Sequence, residues 1–143
     1  MIAKPIRIIG WVLSLTVIAA LTATMVVVGS PLQARKRHAD EQRSDDLSNI
    51  VRMVRAYYTS HNKLPTTLKE CESYGYPRSL TDAETGTPYE YRPVAKDRFE
   101  ICAVFETDTL KQPQRGYYGD WSEEVYHHSK GRVCFTLPAK GPA

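Results

Sequence analysis

The chain has 143 residues and a formal net charge of +3 at pH 7. Lys4 and Arg7 supply two of these charges, so the rest of the chain is close to neutral. A near-neutral chain lacks the clustered basic face that nucleic-acid binding needs, which excludes a nucleic-acid partner. The 109 residues from Arg35 onward are enough for one compact domain and not for two.

The first long feature is an uncharged run of 22 residues from Ile8 to Gly29. A helix needs roughly 20 apolar residues to cross the hydrocarbon core of a membrane. A cleaved signal peptide is the alternative, but its apolar core is usually about 7–15 residues long. The sequence therefore predicts a short basic segment at residues 1–7 and a single transmembrane helix at residues 8–30. The helix includes Trp11, Leu13, Leu15 and Met25.

A second helical pattern follows the apolar run. Residues 31–45 carry charges on all sides and are predicted to form a juxtamembrane helical connector, with Pro31 ending or kinking the first helix. From Leu47 onward, apolar residues recur at the i, i+3, i+4 and i+7 spacing of one buried stripe. Pro65 marks the end of this helix, because the residue before a proline is pushed out of the α region. The predicted core residues of the stripe are Leu47, Ile50, Val51 and Val54.

The predicted domain covers residues 46–143. In its second half the hydrophobic pattern changes to a period of two residues. A short helix capped by Thr66 or Thr67 and a turn at residues 82–88 come first. Apolar residues then alternate with polar ones in three segments, which predicts three half-buried strands. The chain is therefore expected to have an α+β fold. The predicted core residues of the middle strand are Phe99, Ile101 and Phe105.

Two of the three cysteines fall on the polar phase of their strands. Cys102 and Cys134 both lie opposite the apolar residues of the predicted strands. Neighbouring strands place facing Cβ atoms about 4.5–5.5 Å apart, near the range that a disulfide can close. The sequence therefore predicts a Cys102–Cys134 disulfide and an oxidising compartment. Cys71 is predicted to be a small buried residue of the short helix. The basic residues that flank the apolar run do not fix its orientation, so the cysteines place the domain outside the cytoplasm.

The segment at residues 107–130 is predicted to be a long loop. Tyr117, Tyr118 and Trp121 form an aromatic group in it. They either close over the edge of the core or form a contact surface for another protein, since aromatic residues are enriched in interfaces. They are therefore candidate interface residues.

No catalytic, cofactor or metal site is predicted. The sequence contains no serine-hydrolase, zinc-protease or phosphate-loop motif. His127 and His128 are adjacent and point in opposite directions on an extended chain, so a hydrogen-bonding role is favoured over chelation. Asp82, Glu84 and Asp120 offer oxygen ligands for calcium, but a solvated turn is favoured. An enzyme or small-ligand binder built on the histidines and Asp120 is the remaining alternative.

Several short motifs follow one another along the chain in an order that resembles a known protein family. Gly10 is followed by Trp11, which opens the apolar helix, and Lys63–Leu68 follows the amphipathic helix. Asp82–Tyr91 is similar to an Asp-Pro-x-Gly-x-Pro-Tyr-x-Tyr turn. Together with Phe99–Phe105 and His128–Phe135, these motifs resemble the pseudopilins of type II secretion systems and small pilin-like membrane proteins of bacteria.

The resemblance implies a fold, a location and a role. The fold is a transmembrane helix continuing into a long helix that packs on an antiparallel sheet of about three to four strands. The location is the bacterial inner membrane, with a single span and the C-terminal domain in the periplasm. The role is non-catalytic contact with other membrane proteins through the membrane helix and the 107–130 loop, as a homo-oligomer or a hetero-complex subunit. Members of the family are cut after a glycine and carry a glutamate five residues later, where this chain has Leu15. An accessory subunit that stabilises a larger inner-membrane complex is the alternative.

Overall fold

A computed structural model describes residues 3–28, 30–74, 80–110 and 123–140. The chain divides into two compact units, Met1–Arg35 and Lys36–Ala143. The second unit begins ten residues before the predicted start of the domain at residue 46.

The first unit holds helix α1, Ala3–Val28, and the start of helix α2, Pro31–His61. Ser30 caps α2, because its Oγ accepts a hydrogen bond from the backbone N–H of Gln33 at 3.3 Å. Pro31 stands at the first helical position, where a proline needs no hydrogen-bonded N–H. Within the residues described, neither α1 nor α2 combines the length and the apolarity that crossing a membrane demands.

In the second unit, α2 supplies one side of the core. The apolar stripe predicted from the sequence is buried, with Leu47 and Val54 fully inaccessible to solvent. The helix ends at His61, and Asn62 follows in the left-handed conformation with φ of 51°. The N–H of Asn62 still reaches the carbonyl of Tyr58 at 2.7 Å, which closes the last turn before Pro65.

A 3₁₀ helix, Leu68–Tyr74, occupies the position of the predicted short helix. Its first turn is tight, because the N–H of Glu70 donates to the carbonyl of Thr67. The carboxylate of Glu70 accepts a hydrogen bond from the N–H of Thr66 at 3.2 Å, which satisfies a backbone donor at the start of this helix. Cys71 is fully buried in this helix and carries a free thiol.

Three strands form the sheet, and the predicted α+β class with a long helix and an antiparallel sheet is confirmed. The strands are β1, Glu90–Ala95, β2, Arg98–Phe105, and β3, Gly131–Pro138. They are antiparallel neighbours in the order β1-β2-β3. All eight residues of β3 pair with β2 in one register, whereas the β1–β2 register shifts between Pro93 and Ala95. The core face of β2 presents Phe99, Ile101 and Phe105 to α2, all buried.

The segment between β2 and β3 is not a plain loop where the structure describes it. A second 3₁₀ helix spans Glu123–Tyr126, and Val125 is fully buried in the core. One turn of helix is too short to show a period in the sequence, so only its packing against α2 identifies it. Ser44 of α2 holds it by donating to the carbonyl of Val125 at 3.2 Å.

Candidate functional site

Helix α1 exposes its large apolar side chains. Trp11 is 72% exposed, Leu13 60% and Leu15 62%. Contiguous apolar surface of this kind is rare in water-soluble proteins and marks a membrane or protein contact. The side chain of Met25 lies outside the described part of the chain. Other large apolar side chains of α1 that are more than half exposed are Ile8, Ile9, Val12, Val17, Ile18 and Leu21.

The hydroxyl groups of α1 find partners in their own helix. Ser14 Oγ donates to the carbonyl of Gly10 at 3.0 Å, and Thr16 and Thr24 donate to carbonyls three residues earlier. Thr22 is within reach of two such carbonyls. These back-bonds give each of these hydroxyl groups a partner within its own helix. The middle of α1 therefore has no side-chain polar group that needs solvent.

A second feature is a buried network of three charged residues, Asp40, Arg43 and Asp82, here called the acid–arginine network. All three side chains are nearly inaccessible to solvent. The guanidinium of Arg43 donates through Nη1 to Asp40 Oδ1 at 2.8 Å and through Nε to Asp82 Oδ2. One cation on α2 thus joins two carboxylates, one from its own helix and one from the turn before β1.

Backbone groups complete the hydrogen bonding of both carboxylates. Asp40 accepts from the N–H groups of Glu106 at 2.9 Å and Thr107 at 2.7 Å, and from the hydroxyl of Thr107 at 2.6 Å. Asp82 accepts from the N–H groups of Glu84 and Thr85, which shapes the turn. The network therefore ties α2 to the end of β2 and to the turn that leads into β1.

The network keeps its groups ionised. Burial by itself raises the pKa of the Asp40 carboxyl, but the bonds from Thr107, Glu106 and Arg43 outweigh it and hold that pKa below its ordinary value. Burial also raises the pKa of Asp82, but the hydrogen bonds from Arg43, Thr85 and Glu84, together with the charge of Arg43, outweigh it and lower that pKa. Burial lowers the pKa of Arg43, but its hydrogen bonds to Asp82 and Asp40 and the charges of these two carboxylates together outweigh burial and raise it.

The predicted connector at residues 31–45 does not have charges exposed on all sides. Ala39, Asp40, Arg43 and Ser44 are buried within it. Tertiary pairing explains the difference, because the partners of Asp40 and Arg43 come from residues 82, 106 and 107. A helical charge pattern cannot reveal partners that lie that far along the chain.

The turn at residues 82–88 uses its acidic groups internally. Asp82 is bonded to Arg43, and the Glu84 carboxylate lies 3.9 Å from the Arg43 guanidinium. A guanidinium at that distance opposes the binding of a second cation, so this geometry does not favour the calcium alternative. Asp120 lies outside the described residues.

The two adjacent histidines have different surroundings. His128 is 2% exposed, and its ring stacks on Phe105 with ring centroids 3.6 Å apart. Burial lowers the pKa of His128, so the ring is neutral in the folded domain near pH 7. Its backbone pairs with Thr109, whose N–H donates to the His128 carbonyl at 2.9 Å. His127 is only half-buried. His128 is thus a core residue rather than part of an open site.

The face of the sheet opposite α2 carries the disulfide. Cys102 and Cys134 face each other in the β2–β3 register and are joined, with Cα atoms 4.1 Å apart. Glu100 lies close to both sulfur atoms, but a disulfide offers no thiolate to a metal ion. On the same face, Arg132 contacts Glu90, and Arg92 contacts Glu100 at 2.7 Å.

Cys71 is the third cysteine, and its surroundings make it unreactive. Its Sγ lies 3.0 Å from the carbonyl of Leu68 inside the core. Burial raises the pKa of this thiol to about 11, so the reactive thiolate is scarce near neutral pH.

The predicted interface residues Tyr117, Tyr118 and Trp121 lie outside the described residues. The structure does bring together three residues that the sequence did not single out as a group, Asp40, Arg43 and Asp82. The available signal was the i, i+3 spacing of Asp40 and Arg43 on one helix. No protein-family model, curated protein or solved structure matches the chain.

Proposed function

We propose that this chain is a non-catalytic, pilin-like protein that is anchored to a membrane by α1 and acts through protein–protein contacts. The observation that carries the proposal is the exposed apolar surface of α1 in a chain whose second unit has its own core. Burying apolar surface is worth about 25 cal/mol per Å², so α1 gains free energy by leaving water. The uncharged run from Ile8 to Gly29 supports the same proposal.

The proposed location is the bacterial inner membrane, with a single span and the folded domain in the periplasm. Support comes from the Cys102–Cys134 disulfide, because disulfides persist in oxidising compartments such as the periplasm. The motif order that resembles the pseudopilins agrees with this location. The proposed contacts with other membrane proteins are made by α1 and by Tyr117, Tyr118 and Trp121 of the 107–130 segment.

Two roles are compatible with such an anchor. A pseudopilin-like component of a secretion or pilus-type assembly is one, and Gly10 followed by Trp11 favours it. An accessory subunit that packs into a larger inner-membrane complex is the other. Leu15 favours the accessory role, because it stands where the pseudopilins carry a glutamate.

Membrane attachment is tested by alkaline carbonate extraction of membranes from cells that express the full chain. We expect the wild-type chain to stay in the membrane pellet until detergent is added. Ile18→Lys places a charge in the middle of the uncharged run, where it costs about 3 kcal/mol, and should shift protein to the supernatant. Gln33→Lys, outside the run, is the matched control and should stay in the pellet. A wild-type chain released by carbonate would contradict the anchor.

The two roles are separated by the intact mass of the membrane-extracted chain. A mass that begins at Trp11 supports the pseudopilin-like role, and the full-length mass supports the accessory role. Gly10→Leu is the control for cleavage after residue 10. A side chain at Gly10 meets no atom within 4 Å, so the variant has room in α1. A truncated wild type together with an intact variant would assign the cut.

A further inference from the structure

Strand β3 forms backbone hydrogen bonds to β2 along one side, and its other side faces away from β2. The sheet order β1-β2-β3 places β3 at an edge. Opposed residues in antiparallel strands are about 4.5 Å apart at Cα in a non-hydrogen-bonded pair and about 5.5 Å apart in a hydrogen-bonded pair. At 4.1 Å, Cys102 and Cys134 form the narrow kind. The backbone N–H and C=O of Cys134 therefore point away from β2, and so, by alternation, do those of Arg132 and Thr136.

Neighbouring contacts agree with this alternation. The N–H of Ala139, one residue past β3, bonds to Asp97 on the β2 side. The carbonyl of Pro138 accepts instead from the Arg55 side chain at 3.2 Å. Among the described residues, no backbone hydrogen bond outside the sheet involves Arg132, Cys134 or Thr136. Among the residues that the structure describes, the outer side of β3 is thus a row of backbone donors and acceptors without backbone partners.

The two edges of the sheet differ in how they are protected. β1 carries Pro93, which has no N–H, and its register shifts between Pro93 and Ala95. Prolines and register irregularities are the features that keep an edge from pairing with another chain. β3 has neither feature before Pro138 and keeps one register over eight residues. Of the two edges of the described sheet, β3 is therefore the one with a regular register.

The sequence of β3 is complementary to itself when two copies run antiparallel about Cys134. Arg132 then lies opposite Thr136 of the second copy, so no two like charges oppose each other. Val133 lies opposite Phe135 of the second copy on the core face. Both side chains are only half-buried in one chain, and both would be covered further in the pair. Pairs of aromatic and β-branched residues across strands are stabilising.

We propose that β3 pairs with β3 of a second copy of this chain, which joins two sheets into one six-stranded antiparallel sheet. The symmetry is two-fold, and Cys134 lies on its axis. Each Cys134 sulfur remains in the disulfide of its own chain. This interface is formed by the sheet and not by α1. The dimer proposal can therefore be tested independently of the membrane anchor.

The test uses charge variants of Thr136 in the full chain, measured by sedimentation equilibrium in detergent. In the dimer, residue 136 of each copy faces Arg132 of the other copy. Thr136→Arg therefore places two arginines opposite each other at two positions, and Thr136→Glu places a glutamate opposite an arginine at the same two positions. We expect the first to raise the dimer dissociation constant on the order of fivefold and the second to lower it by a similar factor. Within one chain Thr136 faces Glu100, so the expected order of the melting temperatures is the reverse. This opposite order separates the dimer effect from monomer stability.

Matched controls sit on the other edge of the sheet. Ala95→Arg and Ala95→Glu change the same charges at an exposed position of β1 and should leave the dissociation constant unchanged. A wild-type chain that stays monomeric would overturn the proposal. So would a dimer that responds to neither Thr136 variant, since that dimer would form elsewhere, for example through α1.

Discussion

Arg43 links three parts of the domain through one side chain. Its guanidinium bonds to Asp40 on α2 and to Asp82 before β1, and Asp40 in turn holds the backbone of Glu106 and Thr107 after β2. A buried charge is tolerated only when it is paired and hydrogen-bonded. Each member of the network therefore depends on the other two.

Replacing Arg43 tests this dependence. Arg43→Met keeps most of the apolar length of the side chain but leaves two buried carboxylates without their cation. We expect the free energy of unfolding, measured by urea denaturation, to fall by about 3 kcal/mol or more. Arg52→Met on the exposed side of the same helix is the control, with an expected change within about 0.5 kcal/mol. Equal effects of the two substitutions would show that the network contributes little.

His128 makes stability depend on pH. Burial holds its pKa below the ordinary value of 6.5, although Asp40 and Asp108 act in the opposite direction. As the pH falls, His128 therefore becomes protonated at a higher pH in the unfolded chain than in the folded one. The contribution to stability is complete above pH 6.5 and declines as the pH falls toward the pKa of the folded state. The pKa values of Asp40 and Asp82 lie below the ordinary 3.8. The stability that these two carboxylates contribute is therefore lost only at lower pH.

The variant His128→Gln should flatten this dependence. We expect the melting temperature of the wild type to fall more steeply than that of His128→Gln between about pH 7 and pH 5. His127→Gln retains the buried ring of His128 and should keep the wild-type slope. Parallel curves for the wild type and His128→Gln would refute the assignment, whatever the difference in absolute stability.

At the scale of elements, the domain consists of α2 packed against the core face of a three-stranded meander. The polar side of α2 near residues 44–48 also has partners, because Tyr126 donates to Asp45 at 2.6 Å and Tyr89 donates to Asp46 at 2.9 Å. Burial and the neighbouring carboxylate raise the pKa of Tyr126, so the hydroxyl remains a donor. Both faces of α2 therefore position the segments around it.

The disulfide closes β2 onto β3 across the long connection. The two cysteines are separated by 32 positions, and closing a loop of that size stabilises the fold by about 4 kcal/mol. We expect the double variant Cys102→Ala and Cys134→Ala to lose about this much in urea unfolding. Reductant should lower the stability of the wild type to a similar value and leave the double variant unchanged. A response of the double variant to reductant would implicate Cys71 instead.

At the scale of the whole chain, the two compact units have different chemistry. Within the second unit, the hydrophobic core cluster extends from Leu47 to Leu137. The second unit, Lys36–Ala143, also contains every member of the acid–arginine network and the disulfide. We therefore expect the second unit to fold without the first 35 residues.

A fragment of residues 36–143 tests this independence. We expect it to remain in solution without detergent, to unfold cooperatively, and to melt within a few degrees of the full chain in detergent. A fragment that begins at residue 46 lacks Asp40 and Arg43 and is the informative comparison. It should be less stable by about 3 kcal/mol or more. Equal stability of the two fragments would place the start of the domain at residue 46.

Much of the architecture followed from local patterns. The period of 3.6 from Leu47 and the period of two around Phe99 and Phe135 report which face of an element is buried, and neither depends on distant residues. Cys102 and Cys134 were predictable as a pair because the alternation of apolar and polar residues places both of them on the non-core face of their strands. The 3₁₀ helix at Glu123–Tyr126 was not predictable, since four residues carry no period.

The α+β class, the helical stripe, the strands, the disulfide and the uncharged run near the N-terminus could all be predicted from local patterns of residues. These features depend on neighbours within one or two turns or on strict alternation. The burial of Asp40 and Arg43, the stacking of His128 on Phe105 and the position of β3 at an edge of the described sheet became visible only in the folded chain. Each of these depends on residues brought together from distant positions, and charge or hydropathy along the chain does not encode which partner will compensate a buried polar group.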